Sequence, residues 1–91
     1  MLLHKRIIIF QLQKLTLINR KDKMKFKDRF NEALKMTHKL QSEIAVEAGV
    51  SRQCISDYKS GKTVPSIETL YFLCKSLDVS ADYLLGLSEE L

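Results

Sequence analysis

The fold of this chain is decided by residues 41–63, which read QSEIAVEAGVSRQCISDYKSGKT. Residues 41–48 predict a short amphipathic helix. Gly49 stands where a glycine in the left-handed conformation commonly ends a helix, and Ser51 is a favourable N-cap for a following helix over residues 52–59. The stretch therefore predicts two short helices joined by a tight turn.

The second of these predicted helices has two chemically different faces. At about 100° per residue, one face carries only polar side chains, which are Arg52, Gln53, Ser56, Asp57 and Ser60. The opposite face carries packing side chains, which are Cys54, Ile55 and Tyr58. Arginine and glutamine pair bidentately with guanine and adenine edges in the major groove. Two helices in this arrangement have the layout of a helix-turn-helix, and the polar face predicts a DNA-reading surface.

The sequence before this stretch predicts another helix. Phe26, Phe30 and Leu34 lie four residues apart and form one core-facing stripe. Arg29 and Glu32 are expected to face away from that stripe, towards solvent. A short polar connection over residues 37–39 then leads to the helix over residues 41–48.

Two serines precede the last two predicted helices. Ser66 is a candidate N-cap for a helix over Ile67–Leu77, and Ser80 is a candidate N-cap for a helix over Ala81–Leu85. The core stripe of the longer helix is expected to comprise Ile67, Leu70, Leu73, Cys74 and Leu77. Five short helices with brief links predict a compact all-α five-helix bundle.

We predict one domain over residues 24–87, with an extension over residues 1–23 before it and a tail over residues 88–91 after it. The formal net charge is +4, and residues 1–25 hold seven basic side chains against one acid. The extension is basic and apolar, and its pattern fits both a strand and a helix. It is an arm that packs on the domain or on a partner protein, or it lies upstream of a natural start at Met24.

The composition argues against several other classes of protein. The cysteines Cys54 and Cys74 and the two histidines form no ligand cluster, so we expect no metal, no cofactor and reduced thiols in a cytoplasmic protein. No catalytic triad, phosphate-binding glycine loop or carboxylate pair is present in the sequence, so we do not expect the protein to be an enzyme. The longest apolar run, residues 7–10, is far shorter than the ~20 residues that span a bilayer, so we expect no membrane association.

Residues 24–87 resemble the bacteriophage repressor and Cro-type (XRE-like) helix-turn-helix family. The residues that carry the resemblance occur in the family's order and are Gln41, Ala45, Gly49-Val50-Ser51, Ile55-Ser56, Gly61-Lys62, Pro65-Ser66, Thr69-Leu70, Leu77, Val79-Ser80 and Tyr83-Leu84. The resemblance implies a lambda-repressor-like domain that binds a nearly palindromic double-stranded DNA operator as a homodimer. Most members are repressors, antitoxins or restriction–modification controllers.

The resemblance also implies roles for individual residues. The base-reading candidates, on the recognition helix over residues 52–60, are Arg52, Gln53, Ser56 and Asp57. The phosphate-contacting candidates are Gln41, Ser51, Cys54, Ser60, Lys62 and Thr63. The dimerisation candidates on the last two helices are Tyr71, Phe72, Leu85 and Leu87. These roles predict a transcriptional regulator, most simply a repressor that occupies its operator.

Two departures from the family pattern raise specific questions. Leu40 stands where the family commonly has serine or threonine, so the helix over residues 41–48 has a weaker N-cap or takes its N-cap from Thr37. Asp57 places a carboxylate on the polar face, where it accepts from a cytosine amino group or from Gln53 one turn back. The alternative function is an antitoxin or adaptor that uses the same fold and binds a protein partner through residues 1–23.

Overall fold

The computed structural model describes residues 24–91. The helices in this range are α1 (Phe26–Met36), α2 (Gln41–Ala48), α3 (Arg52–Ser60), α4 (Ile67–Leu77) and α5 (Ala81–Leu85). They confirm the predicted all-α five-helix bundle, and α3 has the bounds given for the recognition helix, residues 52–60. The expectations for residues 1–23 lie outside the described residues.

Serine hydroxyls cap the starts of α3, α4 and α5. Ser51, Ser66 and Ser80 each accept a hydrogen bond from the backbone N–H three residues later, at 3.2, 3.1 and 3.0 Å. Each cap satisfies a helix N–H that would otherwise lack a partner, and this stabilises the helix by about 1 kcal/mol. The three serines therefore explain why these helices begin where they do.

Helix α2 starts without a side-chain cap. Leu40 occupies the N-cap position and forms no capping hydrogen bond with its side chain. The suggestion that Thr37 supplies this cap is wrong, because its hydroxyl accepts from the N–H of Lys39 at 3.2 Å and closes a separate turn. The start of α2 therefore keeps N–H groups that no side chain of residues 24–91 caps.

The core is organised around aromatic side chains of α1 and α3. The rings of Phe26 and Phe30 stack with centroids 5.2 Å apart, and Tyr58 meets them edge-on at 6.2 and 6.0 Å. Leu73 of α4 is fully buried in the same core, and Leu34 packs half-buried at its edge. Such aromatic pairs contribute about 0.5–1.5 kcal/mol beyond the burial of their area. The cluster therefore fixes α1 against α3.

The predicted core stripe of α4 is wrong at its first residue. Ile67 is 89% exposed, whereas Leu73 and Leu77 of the same stripe are buried. At the start of α4 the groove shared with the end of α2 is lined by Glu68, Thr69 and Phe72. Helical spacing predicts which residues share a face, but it does not predict how far the neighbouring element extends. The first turn of α4 thus leaves Ile67 uncovered by any described residue.

The expectation that Arg29 and Glu32 face solvent is confirmed for Glu32, which is exposed, and wrong for Arg29, whose side chain is only 12% exposed. The Arg29 guanidinium lies 4.8 Å from the centre of the Tyr83 ring and pairs with Glu89 at 2.8 Å. The Tyr83 hydroxyl donates to Glu32 at 2.7 Å, and this hydrogen bond, followed by burial, raises the pKa of Tyr83. The Arg29 hydrogen bond lowers the pKa of Glu89. Residues 88–91 are therefore tied to α1 and α5.

Neither cysteine is engaged in a disulfide. Cys54 and Cys74 are free and half-buried, and burial raises the pKa of the Cys74 thiol. Within residues 24–91, no group of three His, Cys, Asp or Glu side chains is placed to hold a metal ion. In the same part of the chain, no helix is long and apolar enough to cross a membrane.

Candidate nucleic-acid interface

The turn between α2 and α3 sets the relative position of the two helices. Gly49 adopts a φ of +71°, and the N–H of Val50 donates to the Ala45 carbonyl at 3.0 Å. This is how a left-handed glycine closes a helix. Ala45 and Ile55 are both buried where α2 packs against α3, and the methyl side chain of Ala45 permits close approach. The predicted helix-turn-helix layout is confirmed.

Burial on one side of α3 determines which of its side chains face outwards. Ile55 and Tyr58 are only 1% and 6% exposed, and this fixes the rotation of the helix about its axis. The outward side consists of polar side chains, and we call it the polar face of α3: Arg52, Gln53, Ser56, Asp57 and Ser60. All of these are exposed except Asp57, which is half-buried at the edge.

Two side chains of the polar face are joined to each other. The Gln53 amide nitrogen donates to Asp57 Oδ1 at 2.9 Å, across one turn of the helix. Of the two partners that the sequence left open for the Asp57 carboxylate, Gln53 is therefore the one present in the protein alone. The hydrogen bond orients both side chains at the surface of the helix.

The loop after α3 folds back against the end of that helix. The N–H groups of Lys62 and Thr63 donate to the Asp57 carbonyl at 2.9 and 3.4 Å, and the Ser60 hydroxyl donates to it at 3.1 Å. The side chains of Lys62 and Thr63 are exposed, as is Gln41 at the first position of α2. The structure thus places Lys62 and Thr63 beside the C-terminal end of the polar face.

The positive charges of this region are available to a ligand. Among residues 24–91, Arg52 and Lys62 take part in no ion pair. Both side chains are exposed, so binding an anion would not require breaking an existing contact. The Asp57 carboxylate is the acidic group on the same face, and it is engaged by Gln53.

Ser51 and Cys54 are less available than the other phosphate-contacting candidates. The Ser51 hydroxyl accepts from the N–H of Cys54 at 3.2 Å and donates to its sulfur at 3.3 Å. The Cys54 side chain is half-buried. In the protein alone, therefore, the hydrogen bonds between Ser51 and Cys54 cap the N-terminus of α3.

One contact that supports α3 was not predicted from the sequence. The Asn31 amide nitrogen on α1 donates to the carbonyls of Lys27 and Lys59, each at 2.9 Å. The second hydrogen bond ties the last turn of α3 to α1. No sequence signal identifies it, because tertiary packing alone brings together residues 28 positions apart.

Exposed apolar side chains lie on α4 and beyond α5. Tyr71, Phe72 and Leu87 are 54%, 38% and 75% exposed, whereas Leu85 is half-buried. Tyr71 contacts Phe72 with ring centroids 5.1 Å apart. Ile67, one turn before Tyr71, adds to this apolar surface and was missed because it was assigned to the core.

Comparison of the sequence with known protein families identifies the family of this chain. The profile of the Helix-turn-helix family matches residues 31–84. The chain belongs to the helix-turn-helix family. This family of XRE-type regulators, to which the phage repressors belong, is not an enzyme class.

A repressor and a transcriptional regulator are among the relatives of this helix-turn-helix chain. It is 35% identical over 63 residues to the cryptic phage CTXphi transcriptional repressor RstR of Vibrio cholerae, covering 69% of this chain and 56% of that protein. It is 33% identical over 58 residues to the HTH-type transcriptional regulator YobD of Bacillus subtilis, covering 63% and 52% respectively. The chain thus spans about half the length of these curated relatives.

A solved structure supports the same fold. The P22 c2 repressor, crystallised in complex with a synthetic operator, has a TM-score of 0.64 and 32% sequence identity. The match covers 69% of this chain and 96% of that one. The helix-turn-helix fold of residues 24–91 is therefore similar to that of a repressor seen on its DNA.

Proposed function

We propose that this protein is a sequence-specific double-stranded DNA-binding transcriptional regulator that acts as a repressor. The observation that carries the proposal is the polar face of α3, which is exposed because Ile55 and Tyr58 bury the opposite side. A helix of this kind fits the major groove, where each base pair presents a distinct hydrogen-bonding pattern. Similarity to RstR and to the operator-bound P22 c2 repressor supports the same function.

The side chains divide into two groups by the part of DNA that they would contact. Base edges would be read by Arg52, Gln53, Ser56 and Asp57. Phosphates would be contacted by Gln41, Ser51, Cys54, Ser60, Lys62 and Thr63, with the uncapped N–H groups of α2 adding donors. Base contacts confer specificity, and phosphate contacts fix the register of the protein on the duplex.

Repression follows from occupancy of the operator by two copies of the chain. A homodimer would place two recognition helices about 34 Å apart, one turn of DNA, and would therefore select a nearly palindromic site. The dimerisation candidates are Tyr71, Phe72, Leu85 and Leu87. A bound dimer would exclude polymerase from an overlapping promoter. The protein would act in the cytoplasm, where its two cysteines are expected to be reduced.

The proposal is tested by selecting bound duplexes from a random DNA pool at physiological salt. We expect a consensus with two inverted half-sites. Recovery of unselected sequences, or of no DNA, would rule out a sequence-specific regulator.

Replacing Lys62 by alanine is expected to weaken binding to all DNA sequences alike. Lys62 is exposed in the loop beside α3, where its ammonium group would neutralise a phosphate rather than contact a base. Loss of one phosphate contact should reduce the slope of log affinity against log salt by about 1. Fluorescence anisotropy over a salt series measures this slope. A loss confined to the selected operator would contradict the assigned phosphate contact.

Replacing Tyr71 by glutamate is expected to weaken self-association by about 10-fold or more, because tyrosines in interfaces often dominate the binding energy. Analytical ultracentrifugation measures the effect directly. Leu40→Glu provides the control, since Leu40 is 66% exposed before α2 and is not a dimerisation candidate. Equal weakening by both variants would contradict the proposed interface.

The alternative function, an antitoxin or adaptor, depends on residues 1–23. Those residues lie outside the described part of the chain, so no contact in the structure favours the alternative. Size-exclusion chromatography with and without DNA separates the two functions. A stable complex with a protein partner in the absence of DNA would favour the adaptor.

A further inference from the structure

We propose that Gln53 and Asp57 act as one hydrogen-bonding unit that selects, on the DNA strand it contacts, the bases with a major-groove amino group, adenine and cytosine, over guanine and thymine. The inference rests on the proposed DNA-binding function and adds the base chemistry that this part of the polar face accepts. It comes from the hydrogen bond between the two side chains on an outward-facing surface.

The chemistry of the pair determines how the Gln53 amide is oriented. An ionised carboxylate can only accept hydrogen bonds, so the amide must turn its nitrogen, rather than its oxygen, towards Asp57. The distance of 2.9 Å from the Gln53 nitrogen to Asp57 Oδ1 is that of a well-formed hydrogen bond. Asp57 is half-buried, so its carboxylate has less freedom to move than a fully exposed one. The long Gln53 side chain is therefore anchored before any DNA is bound.

The groups left free on each side chain predict what the unit can contact. Gln53 keeps one N–H and its carbonyl oxygen, which together match adenine N7 and N6. Asp57 keeps acceptor sites only, and these match the N4 amino group of cytosine. Guanine O6 and N7 and thymine O4 are themselves acceptors, so placing them against Asp57 would bring two acceptors together. The unit therefore favours amino-bearing bases.

The spacing of the two residues fits neighbouring base pairs. Four residues of an α-helix rise about 6 Å, and successive base pairs rise about 3.4 Å. The hydrogen bond brings the two side-chain ends together, so their free groups would span one or two base-pair steps. The negative charge of Asp57 is repelled by phosphates wherever no amino group compensates it. Asp57 should therefore contribute more to discrimination between sequences than to affinity.

A double-mutant cycle on the full chain tests the proposal. The operator is first selected from random DNA with the unmodified protein. Affinities are then measured for operators changed singly at each base pair read by this unit. The proteins compared are the unmodified chain, Gln53→Ala, Asp57→Ala and the double variant. Asp28→Ala is the matched control, because it removes an exposed carboxylate that belongs to α1 and not to the polar face of α3.

We expect the unmodified protein to favour adenine and cytosine at these positions by about 5-fold or more. Asp57→Ala should reduce discrimination at both positions, because the Gln53 amide loses its anchor. The double variant should discriminate no worse than the more severe single variant, and Asp28→Ala should match the unmodified chain.

Two sets of results would contradict different parts of the argument. Independent effects that multiply in the double variant, or a preference for guanine or thymine opposite Asp57, would overturn the pairing alone. Binding of the unmodified chain to all sequences equally, or to none, would overturn the proposed function itself.

Discussion

Replacing Phe30 by alanine is expected to destabilise the domain by about 3–5 kcal/mol. Phe30 is fully buried, stacks on Phe26 and meets Tyr58 edge-on. Its loss removes the apolar area of the ring and leaves a cavity at the junction of α1 and α3. Small domains are stable by about 5–15 kcal/mol in total, so a large part of the folding free energy depends on this ring. Chemical denaturation followed by circular dichroism measures the change.

Phe72→Ala is the matched control for this prediction. It deletes the same atoms from a side chain that is 38% exposed on α4. Because Phe72 is also a dimerisation candidate, both variants are compared at protein concentrations where the chain is monomeric. We expect less than half of the Phe30 loss, because part of the ring is already in water and a smaller cavity remains. Equal losses for the two variants would show that the aromatic cluster of α1 and α3 is not the centre of the core.

Replacing Arg52 by alanine is expected to weaken binding to the selected operator by about 1–3 kcal/mol and to relax one base position. Arg52 is exposed at the first position of α3 and forms no ion pair within residues 24–91. Its guanidinium is therefore free to donate two parallel hydrogen bonds to guanine O6 and N7. Competition binding against operators changed at single base pairs measures both effects.

Arg52→Lys separates base reading from charge. Lysine keeps the positive charge but lacks the planar fork of donors that guanine recognition uses. We therefore expect Arg52→Lys to lose much of the base preference while keeping most of the affinity for unrelated DNA. An equal loss on every sequence in Arg52→Ala would count decisively against base reading and would assign Arg52 to a phosphate.

The helices could be predicted from sequence because their signals are local. The spacing of Phe26 and Phe30 identifies the buried side of α1, and the hydroxyls of Ser51, Ser66 and Ser80 mark helix starts. The polar face of α3 could be predicted for the same reason. A side chain's direction from a helix follows from its position along the chain, provided that the helix forms.

The errors arose where a prediction depended on a neighbouring element. Ile67 shares a helical stripe with buried residues but lies where α4 has no cover among residues 24–91. Arg29 lies on the outward side of α1, yet its side chain is covered because α5 and the tail supply Tyr83 and Glu89 as partners. Periodicity could not show these contacts, because the partners are distant along the chain.

The sequence by itself determined the helices of residues 24–91, the turn between α2 and α3 and the composition of the polar face. These follow from backbone preferences, capping and hydrophobic periodicity, which act over a few residues. Only the tertiary structure decided which apolar side chains are covered and where the tail lies. It also revealed that Asn31 braces the last turn of α3. Such contacts depend on the packing of whole helices, since their energies arise between atoms that meet only after the chain has folded.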